Sequence, residues 1–306
     1  MIRNIAVLVG ALALSGCITP LPDLTQSRSP CRSEPGGWCG FVREAAVESY
    51  AYAMLSSNAY KDDDTYTRLP LAFVERKAAD NDESGLAYSV FDKYEMRGSE
   101  RGKLIARVLA FRGTEAGSTS DIFSGSLGDG QRNGARMVYD AERAQLDAEL
   151  LQTVPLQVTG HSLGGALATQ ISIENPQVRA YVFNTSPFFS GDPMANAMDR
   201  LAVSERGEFL RVLRRYKASP AADVLVINCN PSAGTGAKHS IRKLADCLTW
   251  IAAYDDPAAY AALEPNDIQK PEVECGDANK LHPGPVTGQQ PLCVHAVRAE
   301  DKDVSN

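Results

Sequence analysis

No long Lys/Arg block occurs in the 306 residues, and the net charge is −7. That combination argues against binding of nucleic acid or of an anionic membrane through a basic face. There is no CxxC pair and no His/Cys cluster with zinc spacing, which argues against a structural metal. The apolar run at the N-terminus, Ile5 to Leu14, is too short to span a bilayer as a permanent helix. No internal repeat is visible. Histidine is scarce, with four residues in all, so any imidazole chemistry has few bearers. What is present is 44% hydrophobic and 23% charged residues. That supports one sizeable core and excludes a chain that is disordered throughout.

Arg3 gives the N-terminus a positive start, the apolar run follows, and Leu14-Ser15-Gly16-Cys17 closes it. This stretch resembles the bacterial lipobox. The resemblance implies cleavage before Cys17, a diacylglyceryl group on its sulfur and an N-acyl chain, with palmitate as a typical acyl group. Several acyl chains together hold a protein firmly at a membrane surface. Ile18 stands where an inner-membrane retention signal would show Asp, so the resemblance implies an outer-membrane lipoprotein facing the periplasm or the cell surface. An ordinary signal peptide with an incidental cysteine is the plainer alternative. Six cysteines remain: Cys31, Cys39, Cys229, Cys247, Cys275 and Cys293. An even number in an exported chain points to disulfides, and many connectivities are open. Pairing of sequence neighbours is the simplest: Cys31–Cys39, Cys229–Cys247 and Cys275–Cys293.

Four segments are expected: a signal peptide over 1–16, a lipidated cysteine and tether over 17–40, a main domain over 41–256, and an irregular disulfide-held tail over 257–306. Residues 18–37 carry several prolines and two glycines with few large apolar groups. From Val42 to Tyr60 apolar residues recur at helical spacing. Leu86 to Phe91 and Leu104 to Phe111 read as strands, joined by a polar turn over Arg97 to Gly102. Gly113 to Gly134 reads as a loop and Ala135 to Leu151 as a helix. Leu156 to Thr159 is a short strand, Gly164 to Glu174 a helix stopped by Pro176, and Arg179 to Phe183 a further strand. Such alternation predicts an α/β fold, a mostly parallel central sheet with helices on both faces.

The most informative segment is Gly160-His161-Ser162-Leu163-Gly164-Gly165-Ala166-Leu167-Ala168. It contains G-x-S-x-G between a strand and a helix of small residues, the context of a nucleophile elbow. A capping serine in a Gly-rich turn is the bland reading. A serine hydroxyl needs a base. His161 sits inside the turn, while His282 and His295 lie in the tail. His239 follows the strand Val224 to Ile227 and a Gly-rich loop, then opens the helix Ile241 to Ala252. A loop after a late strand suits a base, and the Cys229–Cys247 bridge would stiffen it. The orienting acid is expected between Ser162 and His239, because chain order in such folds is nucleophile, acid, base. Glu208 is preferred, then Glu205, just past the strand Leu201 to Ser204; Asp192, Asp199 and Asp223 are rivals. Oxyanion donors are expected from the N–H of Leu163 and from Thr114, after the strand ending in Phe111.

Together, Val108–Thr114 (VLAFRGT), Gly160–Ala168 (GHSLGGALA), Tyr181–Pro187 (YVFNTSP), Lys238-His239-Ser240 and Ser56–Tyr60 resemble the class 3, fungal-type lipases over roughly residues 41–255. The resemblance implies an α/β-hydrolase fold and hydrolysis of carboxylic esters, often acyl lipids, without a metal or other cofactor. It assigns the nucleophile to Ser162, the base to His239 and the oxyanion donors to Thr114 and Leu163. One departure stands out: the family has an Asp, often as D-x-V/I-P, after the strand that here gives Val203-Ser204-Glu205-Arg206-Gly207-Glu208. The partners implied are an ester or acyl-lipid substrate and the membrane, reached through the anchor. A thioesterase or amidase with the same residues, or an inactive envelope lipoprotein, are the alternatives. Asp121–Leu127 and Pro187–Ala197 are candidate lids or packed loops.

Overall fold

The computed structural model describes residues 31, 34–61, 65–79, 85–113, 129–211, 214 and 223–274. Cys17, Thr114, the Asp121–Leu127 segment, Cys275, Cys293, His282 and His295 lie outside the described residues. Seven strands form one sheet in sequential order. They are β1 (Phe73–Ala79), β2 (Tyr88–Arg97), β3 (Glu100–Phe111), β4 (Leu156–His161), β5 (Arg179–Phe183), β6 (Arg200–Glu205) and β7 (Asp223–Ile227). β1, β2 and β3 pair antiparallel, and β3 to β7 run parallel. Parallel neighbours cannot be joined by a tight turn, so each needs a crossover. Helices α2 (Asp129–Ala148) and α3 (Leu163–Glu174) supply two of them. α1 (Gly40–Asn58), α4 (Ile241–Ala252) and α5 (Pro257–Leu263) also form among the described residues. This is the α/β-hydrolase fold.

The strands alternate strictly between two cores, as a period of two demands. Val108, Ala110, Tyr181, Phe183, Leu201 and Val203 face α1, α4 and α5. Leu109, Phe111, Ala180, Val182 and Ala202 face α3. In α4, Ile241, Leu244, Ala245, Leu248 and Ile251 are buried, at the i, i+3, i+4 spacing of one helical face. Ser240 caps its N-terminus by accepting from Lys243 N at 3.3 Å. One charged cluster interrupts the apolar sheet. Arg107 of β3 is fully buried opposite Asp92 of β2 and bonds Asp92 (2.8 Å), Glu142 (3.2 Å) and Glu149 (3.1 Å).

Cys31–Cys39 and Cys229–Cys247 are bridged, as the pairing of sequence neighbours anticipates. Three expectations need correction. β1 is absent from the sequence-based reading, because FVERKAA is a polar edge strand with little apolar alternation. The tether ends earlier than residue 40: Trp38 and Cys39 are buried in the core. The tail is not irregular from its start. Asp256 accepts from Ala258 N at 2.8 Å and Pro257 opens α5, so a capped, alanine-rich helix forms there. Beyond it, Ile268 and Val273 are buried in the same core as α1 and α4.

Glu274 explains why both ends of the described chain meet. Trp38 Nε1 (2.7 Å), Trp250 Nε1 (2.6 Å) and the Tyr254 hydroxyl all bond its buried carboxyl group. Burial pushes this carboxyl above the ordinary glutamate range, against the pull of the three donors. A pKa raised in the folded state means that the native protein binds the proton more tightly. Stability contributed by this group is therefore full below the ordinary glutamate pKa and falls as pH rises through the raised one. Glu274→Gln keeps an acceptor for both indoles and a donor for Tyr254. Denaturant midpoints measured across this pH range should be flatter for the variant and higher than wild type at neutral pH. Midpoints that track wild type at every pH would contradict this.

Candidate active site

Ser162 lies between β4 and α3 with φ 56° and ψ −123°, a conformation that costs an L-residue roughly 1–3 kcal/mol. Three glycines make the bend possible. A Cβ on Gly160 would meet the Gly164 backbone at 2.4 Å, one on Gly164 would meet Phe111 O at 2.1 Å, and one on Gly165 would meet Thr185 Oγ1 at 2.6 Å. The backbone of Ser162 is tied down by Ser162 N to Phe183 O (3.1 Å) and by Ser186 N to Ser162 O (3.0 Å). The strain is thus held by the sheet and concentrated on one hydroxyl.

Leu163 is the first residue of α3, so its N–H has no acceptor within the helix and points with the positive end of the helix dipole. The second expected donor follows Gly113. A Cβ built on Gly113 would lie 3.2 Å from Ser162 Cβ, so the chain leaves β3 in contact with the serine. Thr114 itself falls outside the described residues.

His239 is buried at the end of the loop between β7 and α4. The Cys229–Cys247 bridge closes that loop on α4, Lys238 Nζ bonds Pro231 O at 3.1 Å, and Asn184 Nδ2 bonds Lys238 O at 3.2 Å. His239 Nδ1 stands 3.0 Å from Glu208 Oε2. With that carboxylate ionised, Nδ1 donates and Nε2 is left as the acceptor. His239 Nε2 and Ser162 Oγ are both buried and have no hydrogen-bond partner among the described residues. Buried polar atoms are rarely left so, and they cluster where chemistry is done.

His161 links the two. Its ring lies 4.6 Å from that of His239, centroid to centroid, and its Nε2 is 2.7 Å from His239 O. A carbonyl only accepts, so Nε2 carries the proton and Nδ1 accepts from the Tyr60 hydroxyl at 2.8 Å. Burial first, then the neighbouring His239, hold its pKa well below the usual histidine value. His161 is therefore neutral and acts as a strut from the elbow to the backbone of His239. The sequence shows His161 only as a residue beneath the turn, and Tyr60 only as the end of a helix.

The two glutamates part company. Glu208, with a side chain fully out of solvent, faces His239. Glu205 turns instead to the β7 exit and accepts from Cys229 N (2.9 Å) and Asn230 N (3.1 Å). Among the rivals, Asp223 opens β7 and Asp199 directly precedes β6, both at the N-terminal ends of the parallel strands, whereas Ser162 follows the C-terminal end of β4. Asp192 accepts from Met194 N at 2.9 Å. Arg214, which sequence reasoning passes over, bonds the second oxygen of Glu208. Of the loop candidates, Pro187–Ala197 is fastened. Ser190 N bonds Gln170 Oε1 (2.6 Å), Asn196 Nδ2 bonds Ser172 O (2.9 Å), and Arg200 donates to Ala195 O and Pro193 O (2.6 Å each).

No helix among the described residues is long and apolar enough to cross a membrane, and no group of three potential metal ligands occurs among them. No curated protein matches the sequence. The structure is similar to the lipase from Rhizopus microsporus var. chinensis, at 13% identity and a TM-score of 0.40 over 56% of this chain and 68% of that one. It is similar to lipase II from Rhizopus niveus at 15% identity and a TM-score of 0.40, over 58% and 77%. For the Rhizomucor miehei triacylglyceride lipase the values are 18% and 0.37, over 54% and 73%. In sequence, residues 95–183 match the family Lipase (class 3), a match that contains the Ser162 elbow and ends before Glu208 and His239.

Proposed function

We propose that this protein hydrolyses carboxylic esters, acyl lipids among them, through an acyl-enzyme on Ser162. The observation that carries the reading is the pairing of His239 Nδ1 with Glu208 while His239 Nε2 and Ser162 Oγ are buried with no hydrogen-bond partner among the described residues. In the reaction, Ser162 Oγ attacks the ester carbonyl as its proton passes to His239 Nε2. Glu208 holds the imidazole in the Nδ1–H tautomer and stabilises the imidazolium. The N–H groups of Leu163 and Thr114 receive the oxyanion. His239 then protonates the leaving alcohol, and a water that gives its proton to Nε2 releases the acid from Ser162. The similarity of residues 95–183 to class 3 lipases supports the ester as substrate. The lipobox-like stretch supports acylation at Cys17 and a position at the outer membrane, which would keep the site close to lipid.

A panel of p-nitrophenyl esters, phospholipids, thioesters and amides tests the substrate class; esters should be turned over fastest. Preference for amides or thioesters would move the reading to those classes. Two variants test the acid. Glu208→Gln should lower kcat by about 10⁴-fold, because the imidazole loses its orienting charge and tautomer. Glu205→Gln should keep kcat within about tenfold, since Glu205 serves backbone N–H groups and one acceptor oxygen remains. The reverse order would hand the role to Glu205.

A further inference from the structure

We infer that Arg214 is a positioning residue for Glu208: its guanidinium fixes the second carboxylate oxygen and places a positive charge against it. The inference rests on the reading of Glu208 and His239 as acid and base. Its grounds are geometric. Glu208 Oε2 accepts from His239 Nδ1 (3.0 Å) and from Leu210 N (2.9 Å), while Oε1 accepts from Arg214 Nη2. The same guanidinium donates to Thr185 O (2.6 Å) and Ser204 Oγ (3.2 Å). Thr185 follows β5 and Ser204 belongs to β6, so the planar fork is anchored on two strand ends and aimed at the carboxylate between them.

Two physical needs are met at once. Glutamate has one more side-chain torsion than aspartate, and a charge-assisted bond on the far oxygen removes that freedom. The carboxylate is also 0% exposed. A carboxylate out of solvent needs a charged partner, and the Arg214 guanidinium in contact supplies it. His161, Glu205 and Lys238, three other ionisable groups nearby, bond other partners. His161 is neutral and bonds His239 O. The Glu205 carboxylate serves Cys229 and Asn230, and the Lys238 ammonium bonds Pro231 O. Among the described residues, the bonds to the Glu208 carboxylate come from His239, Leu210 and Arg214.

Without Arg214 the deprotonated Glu208–His239 pair carries an uncompensated negative charge, whereas the pair with one proton is neutral. The pair then takes up its proton at higher pH, whichever partner holds it. The test follows the His239 ring and Glu208 carboxyl resonances by NMR across pH, alongside kcat and KM on p-nitrophenyl butyrate. Arg214→Met should raise the midpoint of proton uptake by one pH unit or more. It should also move the acid limb of kcat/KM with it and lower kcat 10- to 100-fold at unchanged KM. Arg214→Lys, which keeps the charge but not the fork, should restore the midpoint yet leave kcat about threefold to tenfold low. If Arg214→Met does not fold, Arg214→Gln carries the same expectation. A wild-type midpoint in the neutral variant, or equal losses in both variants without a midpoint shift, overturns the inference. An inactive wild type whose NMR midpoint still shifts in the variant would refute the ester-hydrolase reading and leave the Arg214 pairing standing.

Discussion

Ser162→Ala is expected to lower ester hydrolysis by about 10⁶-fold, the scale on which removal of a triad serine acts in hydrolases of this mechanism. The size follows from the division of labour in the site. The bend at Ser162 stores strain in one residue, and the glycines at 160, 164 and 165 are there because any Cβ would strike backbone or Thr185. The bonds that hold Ser162 itself are backbone bonds: Ser162 N to Phe183 O and Ser186 N to Ser162 O survive the loss of the hydroxyl. The variant should therefore fold like wild type. An alanine at φ 56° is no less strained than a serine there, and the hydroxyl has no partner among the described residues to lose. Rate and stability are thus separated by one substitution. Initial-rate assays with circular dichroism on the same preparation check it; a variant that keeps a tenth of the wild-type rate would remove Ser162 from the mechanism.

Arg107→Leu should destabilise the fold by about 3–5 kcal/mol, the usual result of deleting one partner from a buried charge cluster. Arg107 is fully buried in β3, directly across from Asp92. Its three nitrogens reach Asp92, Glu142 and Glu149, and Asp92 and Glu142 are themselves buried. Arg76 also touches Asp92 (3.2 Å) and Glu149 (3.2 Å), but it is partly exposed and approaches from β1. It leaves Glu142 unpaired in the variant. Replacing Arg107, Asp92 and Glu142 together by apolar residues of similar volume should restore most of the loss, because the penalty belongs to the stranded carboxylates. Urea denaturation of the single and triple variants decides this. A single variant within 1 kcal/mol of wild type would show that the cluster contributes little.

How much of this was legible in the sequence depends on whether a residue's role is local. The elbow was legible because the glycines that its steric constraint demands sit within six consecutive residues, Gly160 to Gly165. The strands Arg179–Phe183 and Asp223–Ile227 and the helix Ile241–Ala252 announce themselves by apolar pattern. Pairing of neighbouring cysteines anticipated Cys31–Cys39 and Cys229–Cys247, since short loops bring such thiols together. Roles that depend on distant partners were not legible. Arg107 reads as a blemish in an apolar strand until Asp92 is placed opposite. Arg214 reads as one of several arginines after β6 until its fork meets Thr185, Ser204 and Glu208. β1 and the stretch around Ile268 to Glu274 are polar in sequence and gain their place only from the edge of β2 and from Trp38 and Trp250. The choice between Glu208 and Glu205 was open for the same reason: Glu205 ends β6 and Glu208 stands just beyond it, and only the fold shows which turns to the imidazole and which to Cys229.

The most direct measurement is active-site labelling with a fluorophosphonate, followed by peptide mass mapping, on wild type, Ser162→Ala and His239→Gln. A phosphonylated Ser162 peptide in wild type, absent from the first variant and at least a hundredfold slower to form in the second, is the predicted result. Wild-type protein that stays unmodified while an active serine hydrolase reacts beside it, or that carries the adduct on another residue, would contradict the account.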